Sequence, residues 1–241
     1  MARTHLRMTA QPGTAWLQRV TVPALVASVL FIAASAPGAQ QGGPVRGRVE
    51  IGVTVSAKRP TSAAYPGRSV PVAALAPVSE LRNVVVYLKD APARQLPPTR
   101  VEIRQRDETF VPRVVAVPVG STVDFPNDDP IYHNVFSLSS AKNFNLGRFP
   151  QGKSKRVTFD KPGLVRVFCD IHSHMSATVL VFNHPWFAIP DESGRFQLPE
   201  VPPGDREITA WHERLGDTTL RVRVDNGRAA TADFVLPVPA K

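Results

Sequence analysis

Residues Val165 to Val181 read VRVFCDIHSHMSATVLV. Two short apolar runs, Val165–Phe168 and Ala177–Val181, flank a polar loop, the pattern of two strands joined by a connection. The loop carries Cys169, His172 and Met175, and Cys169 is the only cysteine in a chain of 241 residues. Thiolate, imidazole and thioether are donors that favour copper over harder ions. A trigonal centre of that kind needs a second imidazole. His133, within Asp129-Pro130-Ile131-Tyr132-His133-Asn134-Val135, stands at the entry of an apolar strand able to lie beside the loop.

The chain on either side alternates in the same way. Strands are expected at Val101–Gln105, Arg113–Pro118 and Thr122–Phe125, with Gly120 in the turn, then at His133–Leu138, Ser154–Phe159, Gly163–Cys169 and Ala177–Phe182. No stretch carries an apolar stripe of helical period, and the 24 prolines oppose long helices. Strands spaced about ten residues apart point to a β-sandwich. The fold class expected is therefore all-β.

These residues resemble the cupredoxin family, and the Cys-x-x-His-x-x-Met spacing is similar to the short ligand loop of amicyanin. The likeness runs from about Val101 to Phe182. It includes Val117-Pro118-Val119-Gly120-Ser121-Thr122-Val123, His133-Asn134-Val135 and Pro162-Gly163 ahead of Cys169. It implies a Greek-key β-sandwich over residues 97–182 holding one type 1 copper ion through His133, Cys169, His172 and Met175. It also implies that Asn134 bonds the backbone just after Cys169 and clamps the ligand segments, with Asp170 beside it, and that His172 is the ligand nearest the surface.

His174, between His172 and Met175, reads either as an outward-facing loop residue or as a replacement axial ligand or extra metal contact. Asp128 and Asp129 read either as carboxylates that attract cations beside His133 or, more simply, as loop residues, and His184 and His212 as non-ligands. Serine-nucleophile motifs, phosphate-cradling glycine loops and paired-carboxylate signatures are absent from the sequence, and no catalytic residue is assigned. A closed four-donor copper site points to a carrier of single electrons, not an enzyme, with copper storage or delivery and a non-redox envelope interaction module as the alternatives.

Residues 1–39 read as an export signal. Arg3, Arg7 and Arg19 precede the apolar run Ala24–Ala34, too short to span a bilayer. Cleavage after Ala36 or after Ala39, or retention as an anchor, are all compatible with the residues. The expected location is the periplasm or the exterior, with no membrane span after signal removal. A lone cysteine in such a compartment points to a thiol with a use other than a disulfide. The formal charge of +9 comes from 29 basic and 20 acidic residues. The positive balance favours an acidic redox partner or an anionic surface, and the scatter of the basic residues speaks against nucleic acid. Lys142, Arg148, Lys153, Lys155 and Arg156 are the candidate steering zone, or else solvated positions.

Residues 183–238 resemble a carboxypeptidase regulatory-like, transthyretin-like β-sandwich, smaller than the first. The likeness rests on Pro190-Asp191-Glu192-Ser193-Gly194-Arg195-Phe196, Val201-Pro202-Pro203-Gly204 and Ile208–His212. That family opens with a Gly-x-Val strand and a Val-rich strand. Neither follows Phe182, but both occur within residues 44–90, as Gly47-Arg48-Val49 and Val84–Leu88. Two arrangements fit: the copper domain is inserted into this sandwich, or Val45–Leu88 adds strands to the copper domain.

Overall fold

The computed structural model describes residues 42–52 and 79–236. The expected export signal at residues 1–39 lies outside the described residues, as do residues 53–78. In chain order the strands are β1 (Gly43–Ile51), β2 (Val84–Leu88), β3 (Arg100–Glu102), β4 (Arg104–Arg106), β5 (Thr109–Val111), β6 (Val114–Pro118), β7 (Ser121–Pro126), β8 (His133–Ser139) and β9 (Lys142–Phe149). They continue as β10 (Ser154–Phe159), β11 (Gly163–Phe168), β12 (Ser176–Phe182), β13 (Phe187–Ala188), β14 (Arg195–Val201), β15 (Gly204–His212), β16 (Gly216–Val224), β17 (Ala230–Thr231) and β18 (Phe234–Leu236). The helical content of the described residues is one 3-10 turn, Glu80–Asn83. Among them, no helix is long and apolar enough to cross a membrane.

Two packed pairs of sheets divide this set. A five-stranded sheet in the order β6-β12-β11-β8-β9 faces the three-stranded sheet β10-β7-β3, with the hairpin β4-β5 at one end. Their shared core holds Val117, Val123, Phe125, Val135, Phe159, Val165, Val167 and Val179, together with Cys169 and Met175. The second pair is β14-β1 with β17 and β18, and β13-β2-β15-β16, around Val45, Val49, Val86, Leu88, Leu198, Ile208 and Phe234. Strands β1 and β2 thus pair with strands from beyond residue 186: Val45 faces Leu198, and Val86 faces Ala210.

Period-2 geometry explains the sequence of the strands between the two cores. In β12, Ala177, Val179 and Val181 point into the first core while Leu180 points the other way. In β2, Val84, Val86 and Leu88 fill the second core while Val85 points outward. Val85, Val114 and Leu180 then pack together with Tyr87, Phe182 and Trp211 at the junction. Both strands are covered on both faces, so they read as continuous apolar runs. Arg113 adds a polar tie at that junction, donating to Glu213 at 2.8 Å and to Ser176 Oγ at 3.0 Å.

Three local expectations change. Val101–Gln105 is two strands, because the buried Ile103 donates its N–H to Asp124 O and the chain then leaves the sheet for the β4-β5 hairpin. The strand expected to run to Cys169 ends at Phe168. Strand β9, absent from the expectation, forms the edge of the five-stranded sheet. Gly120 and Gly194 do occupy turns at φ +87° and +83°, where a side chain would be strained.

Candidate metal centre

Strands β8 and β11 are neighbours, with Phe136 opposite Phe168. That pairing sets His133, the first residue of β8, next to Cys169, the first residue after β11. Strands β11 and β12 form an antiparallel hairpin in which Phe168 faces Ser176. Cys169 and Met175 are consequently the two ends of the connecting loop, brought together at its neck. The loop is stiffened by Met175 N–H donating to His172 O at 3.0 Å. His133, Cys169, His172 and Met175 are all buried.

Their donor atoms converge. His133 Nδ1 lies 3.1 Å from His172 Nδ1, and Cys169 Sγ lies 3.9 Å from His172 Nδ1. One donor atom from each of these three residues falls within 4.8 Å of the others. Two imidazoles, a thiol and a nearby thioether, all withdrawn from water, form a donor set that fits copper. His172 is the ligand expected nearest the surface; it is only 5% exposed, while His133 is fully enclosed.

The surroundings polarise these groups. Burial opposes a charged His133 ring, but hydrogen bonds to the Asp129 and Cys169 side chains outweigh it and push its pKa up to about 9. Burial likewise raises the Cys169 thiol, yet the net direction is downward, because His133 and the backbone N–H groups of Asn134, His172 and Ile171 favour the thiolate. The Asn134 N–H donates to Sγ at 3.4 Å. Asp129 is also held below the ordinary carboxylate range, since its bonds to His133, Glu108 N–H and Asp107 N–H overcome burial. These hydrogen bonds favour the charged forms of Cys169, His133 and Asp129, and a cation entering such a donor set displaces protons.

The role of Asp129 as the hydrogen-bond partner of His133 is what the sequence did not reveal. Read as a loop position, it is buried and places Oδ2 at 2.8 Å from His133 Nε2. A carboxylate only accepts, so Nε2 carries the proton and Nδ1 is the nitrogen turned toward His172 and Cys169. The available signal was a carboxylate four residues ahead of a histidine at a strand entry.

Other expected roles shift. The side-chain amide of Asn134 donates to Asn145 Oδ1 at 2.8 Å, and its Oδ1 has no hydrogen-bond partner. The part of Asn134 that touches the site is its backbone N–H, because the strand direction of β8 turns the side chain toward β9. Asp170 is exposed, in the bend that follows β11, and its carboxylate faces Arg148 at 3.4 Å. His174 is not fully solvent-facing. Its side chain is 22% exposed, with Nε2 at 3.6 Å from Glu108 Oε2, outside the cluster of converging donors. His184 and His212 lie in the second pair of sheets or at its edge.

The chain was compared with known proteins. No protein-family profile matches it, and no curated protein matches it. Solved structures that it resembles include a Cu-containing nitrite reductase from Thermus scotoductus SA-01, 28% identical over 39% of this chain and 24% of that one, with a TM-score of 0.33. A purple cupredoxin from Nitrosopumilus maritimus is 28% identical over 31% of this chain and 83% of its own, at 0.29. A Cu(I) amicyanin variant is 19% identical over 34% and 81%, at 0.33.

Of the five basic residues read as a steering zone, three face carboxylates: Lys142 with Asp160, Arg148 with Asp170, and Arg156 with Asp124. Lys155 donates to Leu146 O. The positive charge of this zone is thus partly offset by neighbours.

Proposed function

We propose that residues 97–182 form a cupredoxin domain in which His133, Cys169, His172 and Met175 hold one copper ion as a type 1 centre. In this reading the protein is a non-enzymatic carrier of single electrons, exported to the periplasm or beyond. The observation that carries it is the convergence of three buried donors, two imidazoles and one thiolate, within 4.8 Å of one another. Copper bound there supplies a one-electron couple, and the donor set suits both of its oxidation states.

The chain's own residues do the rest. Backbone N–H groups hold Cys169 as a thiolate, Asp129 orients His133, and burial keeps water from the donors. Four protein donors match a closed site rather than one with a position for substrate. The leader-like segment at residues 1–39 supports export, and the basic balance of the chain supports an acidic protein partner. The pairing of β1 and β2 with β14 and β15 supports a host sandwich, of residues 44–90 and 183–238, into which the copper domain is inserted.

Titrating the metal-free chain with Cu(II) is the test. One equivalent should produce an intense thiolate-to-copper band in the visible spectrum, lost in Cys169→Ser, and the band should bleach and return with a chemical reductant and oxidant. A chain that binds no copper, or whose band survives the substitution, overturns the reading.

A further inference from the structure

The hairpin β4-β5 turns through two residues, since Arg106 pairs with Thr109. Those residues, Asp107 and Glu108, both have φ +53°. Among the described residues they are the only adjacent non-glycine pair in the left-handed region. A two-residue turn of this kind ordinarily calls for Asn-Gly, and bulkier residues there are strained. Strain of this sort persists where the surrounding structure over-determines it.

Here the two strained residues aim at one target. Asp107 N–H donates to Asp129 Oδ1 at 2.7 Å, and Glu108 N–H donates to Asp129 Oδ2 at 2.9 Å. The same Oδ2 lies 2.8 Å from His133 Nε2. Asp129 is fixed from behind as well, its N–H donating to Asn127 Oδ1 at 3.0 Å. The Asn127 amide in turn donates to Ile131 O and Phe149 O. The turn also reaches the second ligand segment, through Glu108 Oε2 at 3.6 Å from His174 Nε2.

We propose that the Asp107–Glu108 turn is a strap that positions His133 through Asp129, fixing the ring so that Nδ1 faces Cys169 and His172 before any metal arrives. Asp107, Glu108 and Asp129 are positioning residues; none is a metal ligand. The inference deepens the copper reading and rests on it. Partners that orient a ligating histidine commonly set metal affinity.

Two measurements test it. In the metal-free wild-type chain, NMR selective for the His133 ring should show an Nε2–H that exchanges with water at least tenfold more slowly than that of an exposed imidazole. Asp129→Asn should then weaken Cu(I) binding by about 10- to 100-fold and shift the reduction potential. Fast exchange of the wild-type Nε2–H overturns the strap, and so does an Asp129→Asn chain that binds copper like wild type. If Asp129→Asn fails to fold, the wild-type exchange rate decides alone. A slow Nε2–H without any thiolate–copper band removes the copper reading but not the strap; a normal band with fast exchange does the reverse.

Discussion

Each sandwich buries a histidine whose Nε2 meets a carboxylate: His133 against Asp129 at 2.8 Å, and His212 against Glu80 at 3.2 Å. By burial and by partner the two are alike. They differ at the other nitrogen. His212 Nδ1 accepts the N–H groups of Arg214 and Leu215, both at 3.2 Å, so the ring caps the β15-β16 turn and both its nitrogens are occupied. Among the described residues, His133 Nδ1 meets no backbone donor and turns to His172, within reach of Cys169. A buried histidine–carboxylate pair is therefore no signature of function by itself; what faces the second nitrogen decides. His184 is a third case, with Nδ1 accepting Trp186 N–H, rings of Phe182, Trp186 and Phe187 around it, and no carboxylate partner.

The sharpest way to break the comparison is to remove each ring in turn. His133→Ala should cost on the order of a thousandfold in copper affinity, since it deletes a donor outright. His212→Ala should leave copper binding within twofold yet destabilise the fold by about 2–4 kcal/mol, because Glu80 and two N–H groups lose a partner. Copper titration and chemical denaturation of both variants read this directly. Loss of copper binding in His212→Ala would collapse the distinction.

A smaller effect separates His184 from the paired histidines. Burial lowers its pKa to about 4, so the folded chain takes up its proton later than the unfolded chain does. Its contribution is fully present above pH 6.5 and is lost as pH falls toward 4, by about 3 kcal/mol in all. His184→Gln should flatten the stability-versus-pH curve of the metal-free protein across that window. An unchanged slope would mean that the ring is not held neutral.

The smallest expected effect concerns the junction. Glu213 accepts from Arg113, whose guanidinium also reaches Ser176 beside Met175. Glu213→Gln weakens a partly exposed pair and should cost about 1 kcal/mol or less. Copper spectra should stay unchanged, because the donors are held from within their own sandwich. A spectral shift would show the second sandwich acting on the centre.

Much of this architecture was legible in the residues. Ser154–Phe159 was placed to the residue, and Cys169, His172 and Met175 could be grouped because they share one loop whose length sets their proximity. His133 was reachable because it opens an apolar strand. Strand β9 escaped because its alternation is short: Phe144 and Leu146 pack on the core between Asn143, Asn145 and Gly147, but Gly147-Arg148 breaks the period before the buried Phe149. Asp129 escaped because a carboxylate bonded by the backbone of a distant turn looks, in sequence, like any carboxylate in a polar loop.

Local chemistry and period-2 patterning, then, determined the strands, the donor types and the loop that carries most of them, since each depends only on neighbours in the chain. Which sheet receives β1 and β2, which nitrogen of His133 is free to face Cys169, and which turn holds Asp129 were decided by tertiary structure alone. Those are pairings between groups far apart in sequence, and a side chain's partner is set by where the backbone delivers it.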